Sequence, residues 1–192
     1  MRTIFFDIDT QLDFLYPAGA LYVPGAELIE PTLVRLNHHA AANGILVIST
    51  MDAHTENDPE FKAWPAHCVA GTLGQRKPAG TLLPNAIVIS NNPGKQDLQG
   101  APQILLEKQT FSCFSNCRLQ PILDNLKADR YVVYGVVTEI CVRLAALGLL
   151  ETGAKVELVT DAVKHLDQAK QQDFLRDFET RGGQLTTIAG IV

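Results

Sequence analysis

Three short polar motifs each follow an apolar segment of the chain, and together they offer a carboxylate, an ammonium group and a thiol. Asp9 comes after the apolar run at 4–8, Lys108 comes shortly after the run at 104–106, and Cys141 comes shortly after the run at 132–137. A cysteine nucleophile needs a base to remove its proton and a charge to hold the arrangement. The motifs therefore predict covalent catalysis by Cys141, with Asp9 as the base and Lys108 as the charge.

Taken singly, each of the three residues has a structural interpretation as well. Cys141 begins an apolar helical pattern, and the N-terminus of a helix lowers a thiol pKa and supplies N–H groups that can hold an oxyanion. A lone cysteine, however, is more often a buried structural residue. Asp9 is equally suited to capping a helix or turn. Lys108 either reaches solvent or, because a buried lysine is costly unless paired, forms an ion pair with Asp9.

A second group of candidate residues lies in a loop, in the segments Asp52-Ala53-His54 and Trp64-Pro65-Ala66-His67-Cys68. One carboxylate and two imidazoles suit a divalent transition metal that keeps open positions for water or substrate. The spacing alone fits surface polar residues about as well, but both segments flank the expected crevice, which favours a metal bound by Asp52, His54 and His67. Asp58 or Glu56 is a candidate for a further ligand or for orienting one.

The elements that must position these residues follow from alternating apolar runs and helical patterns, which indicate an α/β fold with a parallel sheet. Strands are predicted at 3–9, 45–50, 103–107, 131–136, 155–159 and 184–188, with a possible short extra strand at 86–90, and helices at 26–42, 118–127, 140–152 and 166–181. In such a sheet the carboxyl ends of the strands face the ligand crevice, so the three motifs converge there. Residues 51–102 form a long proline-rich excursion, which is typical of a functional loop, a lid or a subunit contact.

Composition narrows the classes of function. The 192 residues predict one domain spanning 1–192, and the net charge of −5 without a basic run argues against nucleic acid or an anionic membrane as partner. No apolar run approaches the roughly 18 residues of a membrane span, and no signal peptide is evident, so we expect a cytoplasmic protein. The four cysteines do not suggest a disulfide framework, and Cys113 and Cys117 are expected to be reduced thiols.

The motifs as a set resemble the isochorismatase-like cysteine hydrolases and, within them, the nicotinamidases. They occur in the family's order and cover nearly the whole chain. The matching pieces are Asp9-x-Gln11-x-Asp13-Phe14, Asp52-x-His54, Trp64-Pro65-x-His67-Cys68-Val69-x-Gly71-Thr72-x-Gly74, Glu107-Lys108 with Phe111-Ser112-x-Phe114, and Gly135-Val136-Val137-Thr138-x-x-Cys141-Val142.

The resemblance implies a three-layer α/β/α fold with a six-stranded, mainly parallel sheet and a homo-oligomer. It also implies a set of site residues: the triad Asp9, Lys108 and Cys141; a Zn²⁺, Fe²⁺ or Mn²⁺ ion on Asp52, His54 and His67; and a cis peptide at Val136–Val137 with an oxyanion hole near Val137 and Cys141. If the substrate is nicotinamide, Phe14 and Trp64 are candidate walls for its ring.

Three positions depart from the nicotinamidase pattern and bear on the substrate. Ala53 stands where an aromatic residue is usual, Asp58 where a histidine is usual, and Val137 where alanine is common. The leading hypothesis is a nicotinamidase that acts through a Cys141 thioester. The alternatives are a related hydrolase of another small amide, carbamoyl or ureido compound, and a non-catalytic protein that only binds a metal or ligand.

Overall fold

A seven-stranded sheet forms the centre of the computed structural model, which describes residues 1–94, 98 and 100–192. The strand order is β3-β4-β2-β1-β5-β6-β7, and every pair of neighbours is parallel. The strands are β1 (Thr3–Ile8), β2 (Leu46–Asp52), β3 (Ile87–Ile89), β4 (Gln103–Lys108), β5 (Arg130–Val136), β6 (Lys155–Lys164) and β7 (Gln184–Thr186).

The sheet has seven strands rather than the six that the resemblance implies, and the seventh is the extra strand considered at 86–90, which forms edge strand β3 beside β4. This strand has only three residues, and Val88 in it is 53% exposed, so its apolar pattern in the sequence is weak. Strand β6 also continues five residues beyond its predicted end, past a register shift opposite Gly135. Asp161 lies within the added part of this strand, and its side chain accepts a hydrogen bond from the Ile188 N–H.

Helices cover both faces of the sheet, which confirms the three-layer arrangement. Helices α1 (Leu12–Leu15) and α2 (Glu30–Ala42) lie on one face, and α3 (Leu119–Leu126), α4 (Arg143–Leu150) and α5 (Gln168–Thr180) lie on the other. Successive side chains of β1 pack on opposite faces of the sheet: Phe5 packs with α2, whereas Ile4 and Phe6 pack with α3, α4 and α5. No helix in the described ranges is long and apolar enough to span a membrane.

The predicted helix at 140–152 is divided into two parts. A turn of π-helix covers Thr138–Val142, and α4 begins only at Arg143. The apolar pattern runs unbroken through both parts, so the sequence gives no sign of the change in winding. Gly148 lets α4 approach its neighbours closely, because a Cβ there would lie 2.2 Å from the Phe114 ring. Asp167 caps the N-terminus of α5, since its side chain accepts hydrogen bonds from the backbone N–H groups of Ala169 and Lys170.

The segment between β2 and β3 carries two turns of 3₁₀-helix, at Pro59–Lys62 and Ala79–Thr81. A buried ion pair that the sequence analysis does not predict ties this segment to the sheet. Lys77 Nζ lies 3.2 Å from Asp7 Oδ2 and 2.9 Å from Thr10 Oγ1, and Ser49 Oγ donates to the same carboxylate at 2.9 Å. The excursion is thus anchored to β1 and β2 rather than lying loosely above them.

Candidate active site

The predicted site residues stand at the ends of the four adjacent strands β4, β2, β1 and β5. Asp52 and Lys108 are the last residues of β2 and β4 and are partners in the sheet register. Asp9 directly follows β1 in a left-handed backbone conformation, with φ of 49°. The peptide bond between Val136 and Val137, at the end of β5, is cis, and the π-helical turn that holds Cys141 follows it.

Lys108 is the centre of the buried cluster. Its Nζ lies 2.9 Å from Asp9 Oδ2 and 3.9 Å from Cys141 Sγ, and it also contacts Asp52 Oδ1. The side chain of Thr50 donates to Asp9 Oδ1 at 2.6 Å. The ion pair expected between Lys108 and Asp9 is therefore present, and the same lysine links the candidate triad to a candidate metal ligand.

Burial dominates the electrostatics of the cluster. It raises the pKa of the Cys141 thiol well above its usual value, an effect that the nearby Lys108 only partly opposes. This corrects the expectation that a helix N-terminus lowers that pKa, because burial of the sulfur outweighs any such effect. Burial likewise raises the pKa of Asp9, against the opposing charge of Lys108. Burial alone would lower the pKa of Lys108, but the charges of Asp52 and Asp9 hold that pKa well above the usual range.

A thiol with a raised pKa is protonated near neutral pH, so it becomes a nucleophile only when a neighbouring base takes its proton. The Asp9 carboxylate and the Cys141 sulfur lie beside the same ammonium group, 2.9 Å and 3.9 Å from Lys108 Nζ. The geometry therefore meets the requirement for a base beside the sulfur.

The three predicted metal ligands lie together. Asp52, His54 and His67 each offer one ligand atom, and these atoms lie within 4.8 Å of one another. The Nε2 atoms of both histidines are 3.9 Å from Asp52 Oδ2. His67 Nδ1 lies 2.8 Å from the Pro65 carbonyl oxygen, to which it can only donate, so the Nε2 lone pair of His67 is free.

The surroundings of His54 also fit a bound cation. Its Nε2 is buried and has no hydrogen-bond partner in the described part of the chain, while its Nδ1 lies 3.0 Å from Asp58 Oδ2. Although burial alone lowers the pKa of His54, Asp52 and Asp58 raise that pKa to about 9. One carboxylate and two imidazole nitrogens, all buried, are a donor set that suits Zn²⁺ or a similar divalent ion.

Of the two further carboxylates considered from the sequence, Asp58 orients His54 and Glu56 is exposed. Glu60 was not predicted as a site residue, yet its Oε1 lies 3.8 Å from His67 Nε2. Asp58 caps the 3₁₀ turn at Pro59–Lys62 by accepting from the Glu60 N–H, which directs Glu60 to the site. An Asp-Pro pair is a helix-start signal, so this turn was detectable in the sequence.

Asp9, Asp52, His67 and Cys141 open into one narrow crevice with a cavity volume of about 30 Å³. Phe14 and Trp64, the two candidate ring walls, line it. The other lining residues were not predicted as site residues, apart from Val136 and Val137; they are Glu60 and the apolar residues Leu21, Val23, Phe111, Val136, Val137, Ile140 and Leu166. No lysine or arginine is among the described residues that line the crevice.

Comparison with known proteins agrees with this fold and site. The model of the isochorismatase domain matches residues 3–190, so the chain belongs to the isochorismatase family of hydrolases. It is 29% identical to an uncharacterised isochorismatase family protein of Bacillus subtilis, over 88% of this chain and 89% of that protein. It is 26% identical to the nicotinamidase of Escherichia coli, over 95% and 93% of the two chains.

A solved structure of a zinc-bound relative has the same fold. The pyrazinamidase of Pyrococcus horikoshii in complex with zinc superposes with a TM-score of 0.83, at 28% identity, over 97% of this chain and 99% of that one. Both the fold and the existence of a metal-binding relative are thus consistent with the geometry described above.

Proposed function

We propose that this protein is a metal-dependent nicotinamidase, which hydrolyses nicotinamide to nicotinate and ammonia through a thioester on Cys141. The observation that carries the proposal is a single one: Lys108 Nζ contacts Asp9, Cys141 and the candidate metal ligand Asp52 together. A nucleophile and a metal anchor thereby share one apolar crevice. The nicotinamidase and pyrazinamidase relatives support the choice of substrate.

In the first half of the reaction, Asp9 takes the proton from the Cys141 thiol, and the sulfur attacks the carboxamide carbon. The backbone N–H groups of Val137 and Cys141 hold the oxygen on which negative charge develops. Asp9 then gives its proton to the amide nitrogen as the C–N bond breaks, ammonia leaves, and the acyl group stays on sulfur. Lys108 keeps Asp9 in place and offsets the charge of the cluster throughout.

In the second half, Asp9 takes a proton from water as the water oxygen attacks the thioester carbon. The C–S bond breaks, the acid is released, and the proton returns to the sulfur. Asp52, His54 and His67 would hold the divalent ion, with Glu60 close by, and the ion would supply a cationic anchor for a ring heteroatom of the substrate. Phe14 and Trp64 would cover the ring faces.

A second candidate is hydrolysis of another small amide, because Val137 reshapes the crevice relative to the common alanine. The apolar lining favours an uncharged substrate: a carboxylate-bearing carbamoyl compound would find no lysine or arginine among the described lining residues. We therefore place a neutral aromatic amide first and a carbamoyl or ureido acid second.

The test is ammonia release from nicotinamide by protein loaded with Zn²⁺, Mn²⁺ or Fe²⁺, compared with N-carbamoylglycine as substrate. We expect turnover of nicotinamide, loss of at least about 10³-fold of kcat in Cys141→Ala, and near wild-type activity in Cys113→Ala. Cys113 is the matched control because it is also buried, in the same apolar cluster as Cys141. Absence of nicotinamide turnover with every metal would refute the assignment, and turnover of N-carbamoylglycine alone would establish the second candidate.

A further inference from the structure

Gln11 is a fully buried side chain that the proposed chemistry does not use. Its Nε2 donates to the carbonyl oxygens of Asp52 and Gln75, both at 2.8 Å, and its Oε1 accepts from the Asp52 N–H at 2.7 Å. One amide side chain thus satisfies both backbone groups of a candidate metal ligand.

Gln11 makes these hydrogen bonds because strand β1 ends before strand β2 does. Strand β1 pairs with β2 only as far as Ile8 and Thr50, so the last residues of β2 have no β1 backbone beside them. The Gln11 amide takes the place of the missing strand, because it presents a donor and an acceptor to Asp52 as a neighbouring strand would. The end of β2 is therefore held on both sides: Gln11 bonds the backbone of Asp52, and the N–H of the next residue, Ala53, donates to the Lys108 carbonyl oxygen in β4.

Asp13 acts in the same way on the segment that carries His67. Its Oδ2 accepts from the Cys68 N–H at 2.7 Å, and its Oδ1 accepts from the Ala20 N–H at 3.0 Å. The fit is close, because a Cβ on Gly74 would lie 2.2 Å from Asp13 Oδ2. Cys68 directly follows His67 and has a positive φ of 45°, a conformation that needs such support.

We propose that Gln11 and Asp13 are positioning residues of the metal site: Gln11 fixes Asp52, Asp13 fixes the segment of His67, and metal affinity depends on both although neither is a ligand. Partners that orient metal ligands typically change metal affinity by about 10- to 100-fold when they are removed. The inference rests on the metal site of the proposed function.

The experiment measures the Zn²⁺ dissociation constant of metal-stripped, full-length protein by competition with a chromophoric chelator. We expect Gln11→Met to weaken Zn²⁺ binding about 10- to 100-fold and Asp13→Ala to do the same, while Asp13→Asn, which keeps an acceptor for the Cys68 N–H, stays closer to wild type. The matched control is Tyr134→Phe, which deletes a buried hydrogen bond to Asn37, away from the metal site; its affinity should stay within about twofold of wild type.

Metal affinity separates positioning from general destabilisation. A merely structural role would lower the melting temperature of Gln11→Met and Tyr134→Phe alike and leave both affinities unchanged, and that result would overturn the proposal. Should Gln11→Met fail to fold, Gln11→Glu decides, since it keeps the size and the acceptor but loses both donated bonds. Wild-type protein that binds Zn²⁺ without hydrolysing nicotinamide would refute the proposed substrate and leave the affinity series decisive. Wild-type protein that binds no Zn²⁺ would overturn both.

Discussion

The buried pair of Asp7 and Lys77 gives a prediction whose size can be worked out from the structure. Both side chains are fully buried, and the Lys77 ammonium is the cation that faces the Asp7 carboxylate. Lys77→Met keeps a side chain of similar length but leaves the carboxylate buried without a counter-charge, a change that typically costs about 3–5 kcal/mol. Thr10 and Ser49 still donate to Asp7, so we expect a loss near the lower end, about 3 kcal/mol.

For a chain of this length, 1 kcal/mol corresponds to about 2–4 °C in melting temperature, so Lys77→Met should melt about 6–12 °C below wild type. The free energy of unfolding is measured in urea on metal-stripped protein at neutral pH. Adding Asp7→Asn removes the unpaired charge, so the double variant should recover at least about half of the loss. The control is Lys170→Met on α5, where the lysine side chain is 72% exposed and the expected change is within about 0.5 kcal/mol.

Two results would refute this reasoning. One is a Lys77→Met protein within about 1 kcal/mol of wild type, which would mean that the pair contributes no more than a surface ion pair. The other is a double variant less stable than Lys77→Met alone, which would mean that the hydrogen bonds of Asp7, rather than its charge, set the cost.

Two further predictions concern the metal site and the packing of α4. The pKa of His54 is about 9 in the metal-free site, so below that pH Zn²⁺ must displace a proton from His54 to bind. Competition with a chelator should therefore show a Zn²⁺ affinity that rises about tenfold per pH unit up to about pH 9 and then levels off. An affinity that stays constant between about pH 7 and 9 would contradict this prediction. Gly148→Ala places a methyl group against Phe114 and should lower the free energy of unfolding in urea by about 1–3 kcal/mol, whereas Gln172→Ala, on the exposed side of α5, should leave it nearly unchanged.

The strands and the convergence of the site could be predicted because both depend on signals that are local in the sequence. Buried parallel strands appear as apolar runs, and a polar residue that ends such a run lies at the ligand-binding edge of the sheet. Asp9, Lys108 and Cys141 satisfy this rule and do lie together. Strand β3 could not be assigned firmly, because three residues at a sheet edge give little apolar pattern.

Other features depend on contacts between distant parts of the chain, and these were missed. Lys77 looks like an ordinary loop lysine until the fold brings it to Asp7. Glu60 looks like one of several loop carboxylates until the turn at Pro59–Lys62 directs it toward His67. The raised pKa of Cys141 was missed for a related reason: a helix N-terminus can be read from the sequence, but the burial that outweighs it cannot.

The three departures from the nicotinamidase pattern differ in their consequences once they are placed in the structure. Ala53 is buried and is not among the residues that line the crevice, and its N–H donates to the Lys108 carbonyl oxygen. Asp58 lies behind His54, where a carboxylate can orient the ring. Only Val137 forms part of the wall beside Cys141. Its two extra methyl groups, relative to alanine, narrow the crevice at the reacting carbon. Under the proposed function, any difference in substrate selection from the nicotinamidases should therefore concern the size of the amide end rather than the ring or the metal.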